Sequence, residues 1–279
     1  MSLTHKIIQK LLSVPKFLGR DYLIEKLPYW FIKPATGKVL QDSIFGFKIH
    51  LDPLFDKNIE NVIYERGVYE LGTVSVLQDF LNTGNTFIDV GANIGWLSLV
   101  GAKQVGQNGK VLAFEPVPTT FDILKSNKTI NNFNQIELYQ FALGNKEETV
   151  TIYPEKENRG GASILNHQLN EGVKIEVKRL DDLTINSKIN VIKIDVEGFE
   201  LDVLKGGIKT IKSDKPNLII EHSIDRNNTA EQYEIYKWLK DLGFYKIYKL
   251  KYGKERKSEL IEIISEKDLP EHDNIFCTL

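Results

Sequence analysis

Five short apolar and β-branched runs, at residues 86–90, 111–115, 136–142, 190–196 and 217–221, are hydrophobic without alternation. Strands of that kind are covered on both faces. Helical periodicity fills most of the gaps between them. One helix is expected over 96–104. A second, capped by Thr119 or Thr120, carries Phe121, Leu124 and Ile130; a third carries Phe199, Val203, Leu204, Ile208 and Ile211 and stops near Lys212. Thr229 opens a fourth, with Tyr233, Tyr236, Trp238, Leu239 and Leu242 before Gly243. Alternating strands and helices make the connections crossovers and the sheet parallel. One connection departs from this pattern. Alternation at Val150 and Ile152 and again at Val173, Ile175 and Val177 predicts a β-hairpin insertion, followed only by a short helix near 181–185. The polar segment 158–163 within it reads as a loop, either a lid or a hairpin tip. Residues 245–250 and 275–279 complete the sheet as an antiparallel pair with a polar loop between them. The expectation is an α/β fold with an open, twisted, mostly parallel seven-stranded sheet and helices on both faces.

Upstream, residues 38–52 read as a strand pair around Gly46, and residues 57–81 as helical pieces jointed at Arg66 and Gly67. The turn Thr83, Gly84, Asn85 marks a boundary. Residues 1–82 are expected to form an extension packed on the core, and 83–279 the main domain. At the start of the chain Leu3, Ile7, Ile8, Leu11 and Leu12 recur at helical spacing beside Lys6, Lys10, Lys16 and Arg20, with no acid before Asp21. Such a basic amphipathic helix either docks on its own domain or makes peripheral contact with an anionic membrane surface. Lys10 interrupts what would be the apolar part of an export signal, and no small-residue cleavage pattern follows. The charge-free stretch 90–102 is far shorter than the roughly 20 residues of a membrane span.

Thirty-six basic and 38 acidic side chains leave a net charge of −2, which gives no overall positive field for nucleic acid. Cys277 is the only cysteine, so a disulfide framework and multi-cysteine zinc sites are excluded, and a reducing, cytoplasmic setting fits. The five histidines are too scattered to show metal-ligand spacing.

Open parallel sheets bind ligands beyond the carboxyl ends of their strands. The first run ends in Asp89-Val-Gly91-Ala-Asn93-Ile-Gly95 and enters a helix directly. Glycines there allow a sharp turn and a close approach, and the helix start offers free amides. Glu115 ends the next run, 24 residues after Gly91, where a carboxylate accepts both hydroxyls of a ribose. A nicotinamide dinucleotide site would place a second glycine at Asn93 to admit a pyrophosphate. The charge of Asp89 repels a pyrophosphate and attracts an ammonium, which describes S-adenosylmethionine.

Taken together, residues 87–95, 113–116, 141–144, 180–183, 192–200 and 219–221, with an approach segment at 66–70, resemble the FkbM family of S-adenosylmethionine-dependent methyltransferases, in the Rossmann-like class I fold. The resemblance spreads over roughly half the chain. It implies that Asp89, Gly91, Asn93 and Gly95 hold the methionine part of the cofactor, that Glu115 holds its ribose, and that Phe141 and Ala142 border its adenine. Glu70 in the approach segment is a further cofactor candidate. Many relatives of this fold carry an acid where Phe141 stands.

Lys193, Asp195 and Glu197 share one parity at the end of the fourth run. A charged lysine in a covered strand needs a carboxylate, Asp195 or Glu197. Asp195 is the favoured base for an acceptor hydroxyl, with Glu197 or Glu221 as rival. His222 is expected to pack locally. The chemistry requires no metal, although Asp195, Glu197 and Glu221 together suit a hard cation. The family implies O-methylation, most often of a sugar in a glycan, glycolipid or natural product. The competing readings are a nicotinamide-dependent oxidoreductase and a non-catalytic cofactor-binding accessory protein of a glycan pathway.

Overall fold

The computed structural model describes residues 3–13, 19–155, 158–163, 172–223 and 233–279. An N-terminal helical hairpin, α1 (Leu3–Ser13) and α2 (Arg20–Phe31), precedes an antiparallel strand pair, β1 (Val39–Asp42) and β2 (Lys48–Leu51). Helices α3 (Glu60–Arg66) and α4 (Leu71–Phe80), jointed at Gly67, lead into the main domain. There β3 (Thr86–Val90), α5 (Trp96–Val105), β4 (Lys110–Phe114), α6 (Pro118–Ile130) and β5 (Ile136–Tyr139) follow in turn. The insertion contributes β6 (Ala142–Leu143), β7 (Glu148–Glu155), β8 (Asn158–Ser163) and β9 (Val173–Lys178). The second half holds β10 (Val191–Ile194), α7 (Glu200–Gly206), α8 (Ile208–Asp214) and β11 (Asn217–Ser223). It closes with α9 (Glu234–Leu242), β12 (Lys246–Leu250), β13 (Leu260–Glu262) and β14 (His272–Thr278). No helix among the described residues is long and apolar enough to cross a membrane.

The main sheet has the order β13-β12-β14-β11-β10-β3-β4-β5, with β5, β4, β3, β10 and β11 parallel and β14 antiparallel to both neighbours. Its unalternating strands follow from two covered faces. Phe87, Val111, Ala113, Val191 and Ile219 point into one apolar layer with α4 and α5, while Ile88, Val90, Leu112, Ile192, Ile194 and Leu218 point into the other, with α7, α8 and α9. Every other residue of each strand therefore finds a core. The order reverses between β3 and β10, which leaves a crevice at their carboxyl ends.

Several expectations need correction. The sheet has eight strands rather than seven, because the polar stretch before β14 contains β13, paired with β12. Run 136–142 divides: β5 ends at Tyr139, and β6 leaves to pair with β9 in a separate sheet of order β6-β9-β7-β8. Segment 158–163 is the strand β8, paired with β7, and not a loop. Helix α6 starts at Pro118, whose fixed φ suits a first helical position, rather than at a threonine cap. The expected third helix is two, α7 and α8, meeting at Gly207. A single 3-10 turn, Leu180–Asp182, replaces the short helix near 181–185. Helix α9 begins at Glu234, and Thr229 lies outside the described residues.

Candidate active site

A cavity of about 620 Å³ opens at the crevice. The turn after β3 forms its floor. Gly91, at φ +76°, donates its amide to the carbonyl of Phe114 at 3.0 Å, and Ala92 donates to the same oxygen at 2.9 Å. A Cβ on Gly91 would stand 1.9 Å from the carbonyl oxygen of Asp195, so the turn after β3 lies directly on the end of β10. Asn93, at φ +51°, donates its amide to Glu115 Oε2 at 2.9 Å, while Val117 donates to Glu115 Oε1 at 2.9 Å. Gly95 stands at the start of α5. Glu115 thus braces the turn through Oε2 and its own following segment through Oε1, each oxygen keeping a lone pair for a ligand. Burial pushes its carboxyl up to about 7, against the pull of the two amides.

Parallel pairing sets Asp89 directly opposite Lys193, with both side chains on the α5 face of the sheet. Asp89 is fully buried. Its Oδ2 accepts from Ser98 Oγ at 2.6 Å, whereas Oδ1 has no hydrogen-bond donor, with the Lys193 ammonium 3.9 Å away. Lys193 sits 3.1 Å from Asp195 Oδ2 and donates to the Gly91 carbonyl at 3.3 Å. The carboxylate expected to meet Lys193 is therefore Asp195, joined by Asp89. Burial raises the Asp89 carboxyl, and Lys193 only partly offsets this.

Asp195 and Glu221 bring carboxyl oxygens within 4.8 Å of each other, and each shifts the other's ionisation. Burial alone would raise Asp195, but Lys193 and the Glu221 carboxyl hold it below its ordinary value. Glu221 goes the other way. Burial and the neighbouring Asp195 charge push it up to about 8, against the Lys254 ammonium. Of the two carboxyls, Asp195 therefore ionises first and Glu221 is the harder to ionise. Both line the cavity, Asp195 30% exposed and Glu221 7%. Glu197, exposed and at φ +51°, brings an oxygen within 4.8 Å of oxygens of the other two. Lys193 stands against Asp195 at 3.1 Å and Lys254 against Glu221 at 2.8 Å.

Glu70 joins this network from the N-terminus of α4. Its carboxylate lies 3.1 Å from Lys254 Nζ and accepts from Asn274 Nδ2 at 3.1 Å. Lys254 Nζ also donates to Glu221 at 2.8 Å, so this one ammonium ties α4 to β11. Sequence reasoning missed Lys254. It lies in the turn after β12, where lysines usually face solvent and periodicity carries no signal. Arg159 is the second residue missed as a partner. Its Nε meets Glu60 Oε1 at 2.6 Å, its amide donates to Asp56 Oδ2 at 3.1 Å, and its guanidinium stacks 4.3 Å over the Phe55 ring. Asp56 and Glu60 are fully buried, so β8 is anchored on the N-terminal extension as one wall of the cavity.

Ala142 lines the cavity, but Phe141 does not: its ring packs edge-on against Phe114 and Tyr139, with Lys178 4.7 Å over its face. His222 lies outside the cavity as well, and burial lowers its imidazole to about 4.

The model of the methyltransferase FkbM domain matches residues 89–245, more than half of the chain. Methyltransferase 1 of Beauveria bassiana is 28% identical over 183 residues, covering 57% of this chain and 72% of that protein. Methyltransferase sdnD of Sordaria araneosa is 32% identical over 157 residues, covering 44% of this chain and 60% of that protein. The hexuronic acid methyltransferase AglP of Haloferax volcanii is 28% identical over 149 residues, covering 52% and 59%. The chain thus spans about three fifths of the length of the latter two. Among solved structures, the FkbM methyltransferase of Methylobacillus flagellatus superposes with a TM-score of 0.48 at 17% identity, covering 98% of this chain and 58% of that one. With the domain match running from the acid of the first turn to beyond the last crossover helix, the chain belongs to the FkbM methyltransferase family.

Proposed function

We propose that the chain is an S-adenosylmethionine-dependent O-methyltransferase acting on a sugar hydroxyl, with residues 83–279 as the transfer domain and 1–82 as an extension packed on it. The observation that carries the reading is the fully buried Oδ1 of Asp89, which lacks a donor at the cavity floor. An ammonium supplies such a donor, and a pyrophosphate does not. The free lone pairs of Glu115 beside it suit a diol. When bound, the cofactor supplies a methyl on a sulfonium, which passes to the acceptor oxygen while the carbon–sulfur electron pair stays on sulfur.

In this reading Asp89 receives the ammonium, Gly91, Asn93 and Gly95 shape the turn beneath it, Glu115 accepts the ribose hydroxyls and Ala142 borders the adenine. Glu70 acts at one remove, by fixing Lys254. Asp195, the more exposed member of its pair, takes the hydroxyl proton, and Lys193 holds it ionised. Glu197 at the rim and the buried Glu221 stand beside it. The likeness to a hexuronic acid methyltransferase supports a carbohydrate acceptor. Carboxylic side chains outnumber cations around the cavity, which favours a neutral hydroxyl over an acidic one.

Calorimetric titration tests the cofactor assignment. S-adenosylhomocysteine is expected to bind saturably, with no response to NAD. Hydroxyl donors favour the ionised Glu115, so near pH 7 binding expels its proton into the buffer. Affinity is then flat above pH 7 and falls as pH drops below it. Identical heats in buffers of different ionisation enthalpy would contradict this role for Glu115.

Glu221 gives a second test. While protonated it donates to Asp195 and weakens that carboxylate as a base; once ionised it no longer does. Methyl transfer should therefore rise with pH around an inflection near 8. Glu221→Gln keeps a permanent donor and should flatten this limb. A limb that survives the substitution belongs to another group.

A further inference from the structure

Charge is distributed unevenly along this chain. Residues 1–38 hold seven lysines and arginines against two acids, a net +5, while the remaining residues carry −7. The same segment carries apolar surface that nothing among the described residues covers. Hairpin α1–α2 docks through Ile8 and Ile24, both buried, yet leaves Leu3 74%, Tyr29 83% and Phe31 67% exposed, with Trp30 and Ile7 beside them. These residues meet at one end of the hairpin. His5 Nε2 lies 2.8 Å from the Tyr64 carbonyl, and the Tyr64 hydroxyl donates to the Lys33 carbonyl at 2.8 Å, so the start of α1 and the end of α2 converge on a single residue of α3. Lys6 and Lys33 are exposed at the same end.

We propose that this hairpin is an interfacial anchor that seats the protein on a bilayer surface rich in anionic lipid. Tyr29, Trp30 and Phe31 enter the headgroup layer, and Lys6 and Lys33 face the lipid phosphates. Tryptophan and tyrosine prefer that layer because one part of each ring is apolar and another is polar, and flanking lysines add attraction to the negative leaflet. A protein partner would more naturally meet a groove or a patch depleted in lysine. The +5 segment complements an anionic surface, while the −7 remainder is repelled by it, so the charge distribution orients the molecule as well as binding it. The seat lies close to the cavity. Tyr64 is one helical turn, about 6 Å along the axis, from Glu60, which follows the cavity-lining Asn58 and Ile59. An acceptor carried on a lipid would then meet the cavity without leaving the membrane; this last step alone rests on the methyl-transfer reading, and surface attachment does not.

Vesicle sedimentation of the full chain tests the anchor. Binding is expected to vesicles of phosphatidylcholine with phosphatidylglycerol, to weaken with added salt, and to be far lower with phosphatidylcholine alone. The double variants Trp30→Ser with Phe31→Ser, and Lys6→Glu with Lys33→Glu, should each lower the partition coefficient by about tenfold or more. Both variants should bind S-adenosylhomocysteine as the parent does, which separates a failure of the anchor from a failure of the cofactor reading. Brominated acyl chains should quench a component of the fluorescence that Trp30→Phe removes. The proposal is overturned by absent binding to anionic vesicles, or by binding that both double variants retain. It is equally overturned if light scattering shows a dimer that Trp30→Ser dissolves and the parent ignores vesicles, because a second copy then covers the patch.

Discussion

Asp195→Ala is expected to lower kcat for methyl transfer by roughly 10²–10⁴-fold while leaving S-adenosylhomocysteine affinity within a few-fold of the parent. The size follows from the role. Asp195 is held ionised by Lys193 at 3.1 Å and is the more exposed member of its pair in the cavity lining. Removing it takes away the proton acceptor without touching the turn that carries Asp89 or the amides braced on Glu115. Lys193 keeps Asp89 at 3.9 Å and the Gly91 carbonyl at 3.3 Å, so the buried ammonium is not stranded. Asp195→Asn should lose a similar factor, since an amide keeps the shape but not the basicity. Single-turnover rates beside calorimetry check both, and near-parental turnover in Asp195→Ala would move the base to Glu221 or Glu197.

Gly91→Ala should do more damage, abolishing cofactor binding and lowering stability by about 3 kcal/mol or more. The methyl would meet the Asp195 carbonyl oxygen at 1.9 Å, and both atoms belong to backbone, so no side chain can swing aside. Relief requires prying β3 from β10 at the floor of the cavity. Gly198 separates this clash from simple strain. It too has positive φ, +96°, but a Cβ there meets nothing within 4 Å, so Gly198→Ala should cost only the left-handed backbone penalty of about 1–2 kcal/mol. Thermal unfolding of the two variants and calorimetry with S-adenosylhomocysteine read the contrast. Comparable losses in both would mean that the close approach at Gly91 matters less than its φ.

The features legible in the amino-acid sequence are those that obey local periodicity or sit at a strand end. Strands such as Thr86–Val90 and Val191–Ile194 announce themselves because both of their faces meet apolar layers. Asp89, Glu115 and Asp195 stand out because a charge terminating such a run has no packing explanation. Partnerships across long separations are not legible. Lys254 reaches Glu70 and Glu221 from a turn, and Arg159 reaches Glu60 from 99 residues away, distances over which no repeat or spacing connects residues. Strand β13 is hidden for another reason. An edge strand pairs on one side only and can be as short as the three residues of Leu260–Glu262, too few to show a period within a polar stretch. Analogy with other members of the fold places Phe141 beside the adenine, but its ring is taken up by Phe114 and Tyr139.

The anchoring of β8 on Asp56 and Glu60 gives one wall of the cavity an inheritance of its own. Two stretches of gene about a hundred codons apart describe one wall. A hairpin grafted in from a relative without its matching acids would bring an arginine with nowhere to neutralise it, and the reverse graft would leave two sunken carboxylates facing each other. Any change to this wall is therefore constrained to alter both stretches together, while the turn after β3 shares none of these contacts.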